Sequence, residues 1–589
     1  MSPTYNPPTI VVSPSNFIDL TLTNDLPVNV ELEGKLPLTE QNLESVSQDT
    51  NLHYHGFNVS PLLGSDDVVM HVHSNVTPKK GGSMTPDSKH GTITNLPGGI
   101  YPGDSYPNNK YGATTEYHMQ VNIPEKHQSG LFWYHPHVHT VSNNQVRTGM
   151  SGGIIIKDER SNVEDSDTFP IVRGIKLTPA STYNKKSQPR NLSNITQQVM
   201  MFKDFNDVLG DEETHPDCFT LNGQLNPKIT IQPGEVQFWR IGNIGADNYL
   251  NLALETTNTS NPAFVEPNKR KNFIILGRDG GSVKNPELTD SVLIPPASRV
   301  DLLVVGGDSS DTYNLVSDFT TNLTKMQQQW VNKPNQKSYQ LVTVTVGGEE
   351  VCYKTPDGRQ LTPDGSHCKT ENSENLYDYI TEQESKVDLI LPDPVELASY
   401  TQCQEGEEHS KCITLKDAYP NEPLTQERSF TFNTATLKDP KDPTKSFRVF
   451  TINDELYDEN RIDKVSHLGD IEEWQVVNPT DAPHAFHMHQ LDYLVTQVKL
   501  QEDPGSTYDN YKIKNGKCTK NKDDTYTCEL ESLEYRDMIN LPPNSTTTIR
   551  IPFLNPFITG VFVYHCHILD HEDKGMMQNL KVIDPKSYK

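Results

Sequence analysis

Long apolar runs are missing from this chain. Of its 589 residues only 34% are hydrophobic, and no apolar stretch reaches the roughly 20 residues that a membrane-spanning helix needs. Basic residues are also short: 51 Lys and Arg stand against 78 Asp and Glu, a formal net charge of −27. A phosphate backbone needs a basic footprint, so this balance argues against a nucleic-acid partner. The acidity itself describes a soluble, self-repelling surface. The opening Met-Ser-Pro-Thr-Tyr-Asn-Pro-Pro has no basic region followed by an apolar core, so no signal peptide is visible in it. Cysteine is sparse, with eight in all. Cys352 and Cys368, Cys403 and Cys412, and Cys518 and Cys528 lie as close pairs in hydrophilic sequence. That is the pattern of three local disulfides and of an oxidising compartment, so the expected location is secreted or periplasmic with a leader already trimmed. Cys218 reads as a small buried hydrophobe. Cys566 has a different setting.

The chain is rich in turn formers, with 42 Pro and 35 Gly, which suits many short strands. Strand-like segments group into blocks at 1–160, 168–348 and 429–589. Residues 349–428 are Gly-, Asp-, Glu- and Cys-rich and read as a disulfide-stapled connection with one short helix near Asn375 to Val387. The segment from Phe219 to Asn243 is matched by the segment from Phe450 to Asn478. In each, an Asn-containing hairpin turn precedes a strand that carries Trp. Repetition at domain size points to an all-β chain in which one β-sandwich module is used three times.

Eleven of the 20 histidines fall in four short clusters. They are His53-Tyr54-His55; His135-Pro136-His137-Val138-His139; His484-Ala485-Phe486-His487-Met488-His489; and His565-Cys566-His567 with His571. In an extended strand, residues two apart share a face and neighbours oppose one another. Cys566 therefore faces away from His565 and His567, and His484 faces away from His487 and His489. Sorting by face gives two groups. His484, Cys566, His571 and Met576 are the thiolate, imidazole and thioether set of a blue-copper site. His53, His55, His135, His137, His487, His489, His565 and His567 are eight imidazoles, too many for one ion and suited to a copper cluster rather than to calcium or magnesium. A lone His-X-His in a strand is usually structural, and His71-Val72-His73 is read that way, as is His139.

These four segments, in this order, resemble those of the multicopper oxidases, the family of laccases, bilirubin oxidases and bacterial copper-efflux oxidases. The resemblance implies three cupredoxin-like Greek-key β-sandwich domains and four copper ions. It implies type 1 copper on His484, Cys566 and His571 with Met576 axial, and type 2 copper on His53 and His487. The type 3 pair would lie on His55, His135, His137, His489, His565 and His567. It also implies two carboxylates that serve proton delivery, Glu572 and Asp66, with Asp67 competing for the second role. Ala485 stands where many members have Pro, and Gln490 where a Gly often follows the third histidine. There is no methionine-rich insert; the 12 Met are scattered.

The implied activity is laccase-type: one-electron oxidation of phenolic or similar organic reductants coupled to four-electron reduction of O2 to water. The expected partners are O2 and a small reductant, acting on a monomer. A metal-ion oxidase for Cu(I), Fe(II) or Mn(II) is the alternative within the family. A copper nitrite reductase would leave most of the eight imidazoles unused, and an electron-transfer protein would need none of them.

Overall fold

The computed structural model describes residues 7–26, 48–72, 74, 116–124, 127–157, 190–191, 195–205, 218–257, 270–318, 339–355, 357–384, 401–402, 413–414, 426–438, 442–505, 507–508, 511–530 and 535–584. Strands dominate them, and the helices are short. No helix among the described residues is long and apolar enough to cross a membrane.

The N-terminal part holds a four-stranded sheet in the order Ile10–Val12, Gly152–Ile156, Gly130–His135, His53–His55. We label His53–His55 β1 and Gly130–His135 β2, followed by the helix α1, Ser142–Arg147. β2 exists because Leu131, Phe132 and Trp133 all bury, and it carries β1 antiparallel beside it, with His53 opposite His135. The middle part forms two six-stranded sheets that share a core around Trp239, Leu252, Ile275 and Leu302. The C-terminal part packs an eight-stranded sheet against a five-stranded one. The five-stranded sheet contains β3 (His484–Met488), β4 (Met538–Leu541), β5 (Gly560–Cys566) and, beyond the helix α2 (Leu569–Asp573), β6 (Met577–Ile583). Its order is Lys464–His467, β6, β5, β3, β4. Side chains from both sheets, among them Trp474, Ile549, Phe486 and Tyr564, meet in one core.

The sequence repeat is a repeat of atoms as well. Trp239 and Trp474 are both fully buried, and each indole N–H donates to the side chain two residues before it, Gln237 Oε1 at 3.0 Å and Glu472 Oε2 at 2.7 Å. At the hairpin turns, Asn222 and Asn453 have φ of 49° and 54°, a conformation Asn tolerates better than most residues. Each accepts a backbone N–H from a neighbouring strand, that of Met201 and that of Thr431.

Cys352 is joined to Cys368 and Cys518 to Cys528. Cys403, Cys412 and the side chain of Cys218 lie outside the described residues, as does the polar stretch beyond Lys157. The stapled stretch is more than a connection. Val351, Tyr353, Leu361, Leu376, Tyr379 and Ile380 bury against Val236, Phe238, Ile274 and Leu303 of the middle part, and the expected helix runs Leu376–Glu384.

Arg299 ties the three parts together. It springs from a middle-part strand, donates its Nε to Leu131 O of β2 at 3.1 Å, and forms a fork on Asp537 with bonds of 2.8 and 2.9 Å. Both partners are about 1% exposed along their side chains. Breaking such a buried pair strands a charge in low dielectric. Arg299→Met should therefore cost about 3–5 kcal/mol, seen as a lowered unfolding midpoint. An unchanged midpoint would mean that the junction carries no stability.

Candidate metal centres

One strand pairing sets up both groups of ligands. β3 and β5 run antiparallel with His487 opposite His565 and Phe486 opposite Cys566. Cys566 therefore turns into the core of the C-terminal part, while His565 and His567 turn towards the N-terminal part.

On the core side, Cys566 Sγ lies 3.6 Å from His484 Nδ1 and 3.5 Å from His571 Nδ1, and the two nitrogens are 3.1 Å apart. The centre of such a triangle is about 2 Å from each corner, the length of a metal–imidazole bond. The loop closes around it: Cys566 N donates to Met576 O at 3.1 Å, and Met576 N donates to His571 O at 3.0 Å. Met576 is fully buried in the same core as Cys566. Burial pushes the Cys566 thiol up to about 12, and burial with Arg448 nearby pushes His484 down to about 3. His571 is the least buried of the three and stacks on Phe450 at 3.8 Å.

On the other side the eight remaining imidazoles converge, four from the N-terminal part and four from the C-terminal part. The Nε2 of His565 is 3.2 Å from that of His137 and 3.1 Å from that of His489. His53 stacks on His489 at 3.8 Å and His55 on His487 at 3.9 Å. His567 meets His55 and His135 edge-on at 4.8 and 5.1 Å. Burial first, and the neighbouring rings second, hold His55, His487, His489 and His567 well below the usual histidine range, so these rings are neutral.

Their orientation is what a metal cluster requires. His53 Nδ1 faces Asp66 at 3.0 Å, His135 Nδ1 faces Pro136 O at 2.9 Å, and His487 Nδ1 faces Asp537 O at 2.8 Å. A ring whose Nδ1–H is given away keeps its Nε2 lone pair for a ligand. The Nε2 atoms of His53, His135 and His487 are buried without a hydrogen-bond partner, as are both ring nitrogens of His55 and His567. Each would cost about 1–3 kcal/mol if left unpaired. Neutral imidazole donors at this density suit late first-row metal ions, copper among them.

Two carboxylates flank the rings. Asp66, rather than Asp67, faces His53, and it also accepts Tyr54 N at 3.0 Å; burial pushes Asp67 up to about 6. Glu572 lies 2.9 Å from His565 Nδ1 and 3.9 Å from His137 Nδ1, and it accepts from Ser142 Oγ of α1 at 3.0 Å. His139 stays outside the group, edge-on to Tyr457, and His71 faces Asp49. Sequence reasoning missed Asp537, whose Oδ2 is 3.6 Å from His55 Nε2, and it missed Ser142. Nothing local marks either, since His55 and Glu572, the groups they face at the site, lie at the other end of the chain.

Two multicopper oxidase family models match this chain, one over residues 105–161 and one over 427–586. A multicopper oxidase of Staphylococcus haemolyticus is 23% identical over 466 residues, which is 78% of this chain and 70% of that protein. A laccase of Bacillus subtilis is 21% identical over 514 residues, 84% of this chain and 80% of that protein. Among solved structures, a multicopper oxidase from the hyperthermophile Aquifex aeolicus superposes with a TM-score of 0.56 at 17% identity, covering 98% of this chain and 89% of its own.

The depressed histidines make the metal-free protein acid-labile. Their folded values lie below the unfolded value near 6.5, so their contribution to stability is complete above that pH. It is lost as pH falls, because the unfolded chain takes up protons that the folded one refuses. For His137 and His484, both held near 3, the loss is about 1.4 kcal/mol per pH unit per group below pH ~6.5. Unfolding midpoints of the metal-free protein should drop steadily from pH 7 to pH 5. A flat profile would contradict the buried, neutral rings.

Proposed function

The chain belongs to the multicopper oxidase family, copper-dependent oxidoreductases with O2 as acceptor, and from that premise we propose that it is an oxidase of laccase type. Four one-electron oxidations of a small phenolic or similar organic reductant supply four electrons, and O2 takes these with four protons to give two waters. The observation that carries this reading is the peptide His565-Cys566-His567, whose alternate faces belong to two different ligand groups.

In this reading His484, Cys566, His571 and Met576 would hold type 1 copper, and His53 and His487 would hold type 2. The ring contacts support a split of the other six into His55, His135 and His567 for one type 3 ion, and His137, His489 and His565 for the other. Copper, when bound, supplies the one-electron redox chemistry that imidazoles and carboxylates lack. The backbone of Cys566 joins its thiol covalently to His565 and His567 and so links the two ligand groups. Glu572 holds a proton-accepting carboxylate beside His565 and His137, with Ser142 linking it to Asp573 Oδ1 at 3.0 Å, which makes a route for protons. Asp66 fixes the ring of His53.

The rim at His571 favours an organic reductant over a metal cation. Phe450 covers one face of His571, and the Arg448 guanidinium lies 5.1 Å from the centre of the Phe450 ring. The nearby acids are engaged: Asp570 with Lys574 at 2.7 Å, Asp247 with Arg147 at 2.6 Å, and Asp573 with Ser142 and Asn143. Among the described residues, these acids beside His571 are thus already partnered. The disulfides suit an oxidising compartment outside the cytosol, with the chain acting as a monomer.

Copper-loaded protein should carry about four coppers per chain and an intense visible thiolate-to-copper band. Cys566→Ser should lose that band, about one copper and oxygen uptake together. Phenols should be oxidised with higher kcat/KM than Fe(II) or Cu(I). The reverse order would make it a metal-ion oxidase, and about two coppers with no oxygen uptake would overturn the oxidase reading.

A further inference from the structure

Gln490 has a backbone that asks for glycine. Its φ is 61°, in the left-handed region where an L side chain is strained, and the residue is 2% exposed. A buried, non-glycine residue kept there gives up stability for something its side chain does. That side chain reaches from the C-terminal part to the N-terminal part, where Nε2 donates to Asp66 Oδ2 at 2.5 Å. A carboxylate next to a donor fixes which end of the amide points where, so Oε1 is the remaining acceptor. Oε1 is buried without a protein hydrogen-bond partner, which leaves it as an acceptor open to a water.

Asp66 is held unevenly at its two oxygens. Its Oδ1 accepts Tyr54 N, and both oxygens share the single Nδ1 of His53 at 3.0 and 3.1 Å. The Gln490 amide is the donor that Oδ2 does not share with another atom of the carboxylate. Removing it leaves Oδ2 with only its shared contact to His53 while Tyr54 N still holds Oδ1, so the carboxylate can tilt about that end and the His53 ring can tilt with it.

We propose that Gln490 is a positioning residue for type 2 copper: its amide clamps Asp66 across the interface and so fixes the ring of His53. The proposal rests on the assignment of His53 and His487 to type 2 copper. The clamp joins the two parts of the chain that each supply one of those histidines. It makes the geometry of the site depend on their docking as well as on the two rings themselves. Oε1 adds a buried acceptor that can order a water at the same end of the cluster.

Two substitutions separate the hydrogen bond from the backbone. Gln490→Met keeps a long side chain and removes the amide; Gln490→Gly removes the amide and relieves the strained φ. Both should keep the type 1 visible band, and Q490G should melt no lower than the wild type. In both, the type 2 electron paramagnetic resonance spectrum should shift, and that copper should be held roughly tenfold to a hundredfold more weakly against a chelator. Wild-type spectra and retention in both variants would overturn the clamp. Loss in Q490M alone would overturn it too, because glycine removes the amide as completely. A wild-type protein loaded with copper but lacking any type 2 signal would bring down the ligand assignment and the clamp together.

Discussion

A β-strand sends successive side chains to opposite faces, and the end of β5 turns that period of two into the organising constraint of the molecule. Cys566 goes into the core of the C-terminal part, where it meets His484, His571 and Met576. His565 and His567 go the other way, into the seam with the N-terminal part. No helix could do this with three consecutive residues, because successive side chains on a helix are separated by about 100° rather than 180°. The rest of the fold keeps that strand end buried and meets it with matched faces: β3 beside it in register, and β1 and β2 across the seam.

The seam explains the need for a middle part that contributes none of the histidines. Eight rings shared between two sandwiches stay in place only if the sandwiches do. Arg299 reaches β2 with one bond and Asp537 with two, and Asp537 in turn offers its carbonyl to His487 and its carboxylate to the neighbourhood of His55. The middle part also receives α2: Leu569 N donates to Ala246 O at 3.1 Å and Asp570 N to Asp247 Oδ1 at 2.9 Å. The helix that carries His571 and Glu572 is therefore seated on a different sandwich from the one it grows out of.

Much of this was legible in the sequence, for a physical reason. Ligands at i and i+2 on strands obey a local periodicity, so His53 and His55, His487 and His489, and His565 and His567 announce themselves, and Cys566 between two of them marks where two groups join. The twinned Asn turns and Trp strands were legible on the same terms. What stayed hidden depends on partners far along the chain. Ser142 meets Glu572 across 430 residues and Gln490 meets Asp66 across 424; Gln490 drew notice only as a departure from the usual glycine. The stretch from Val351 to Ile380 read as a connection because its apolar residues are diluted by Gly, Asp and Glu. Those few residues nevertheless suffice to bury it against the middle part.

One strand end would serve two metal groups on its opposite faces. Diffraction from copper-loaded crystals, recorded on either side of the copper absorption edge, tests it most directly. One anomalous peak is expected within the triangle of His484, Cys566 and His571, and three more among the eight imidazoles across the strand. A single peak among those imidazoles, or none beside Cys566, would contradict it.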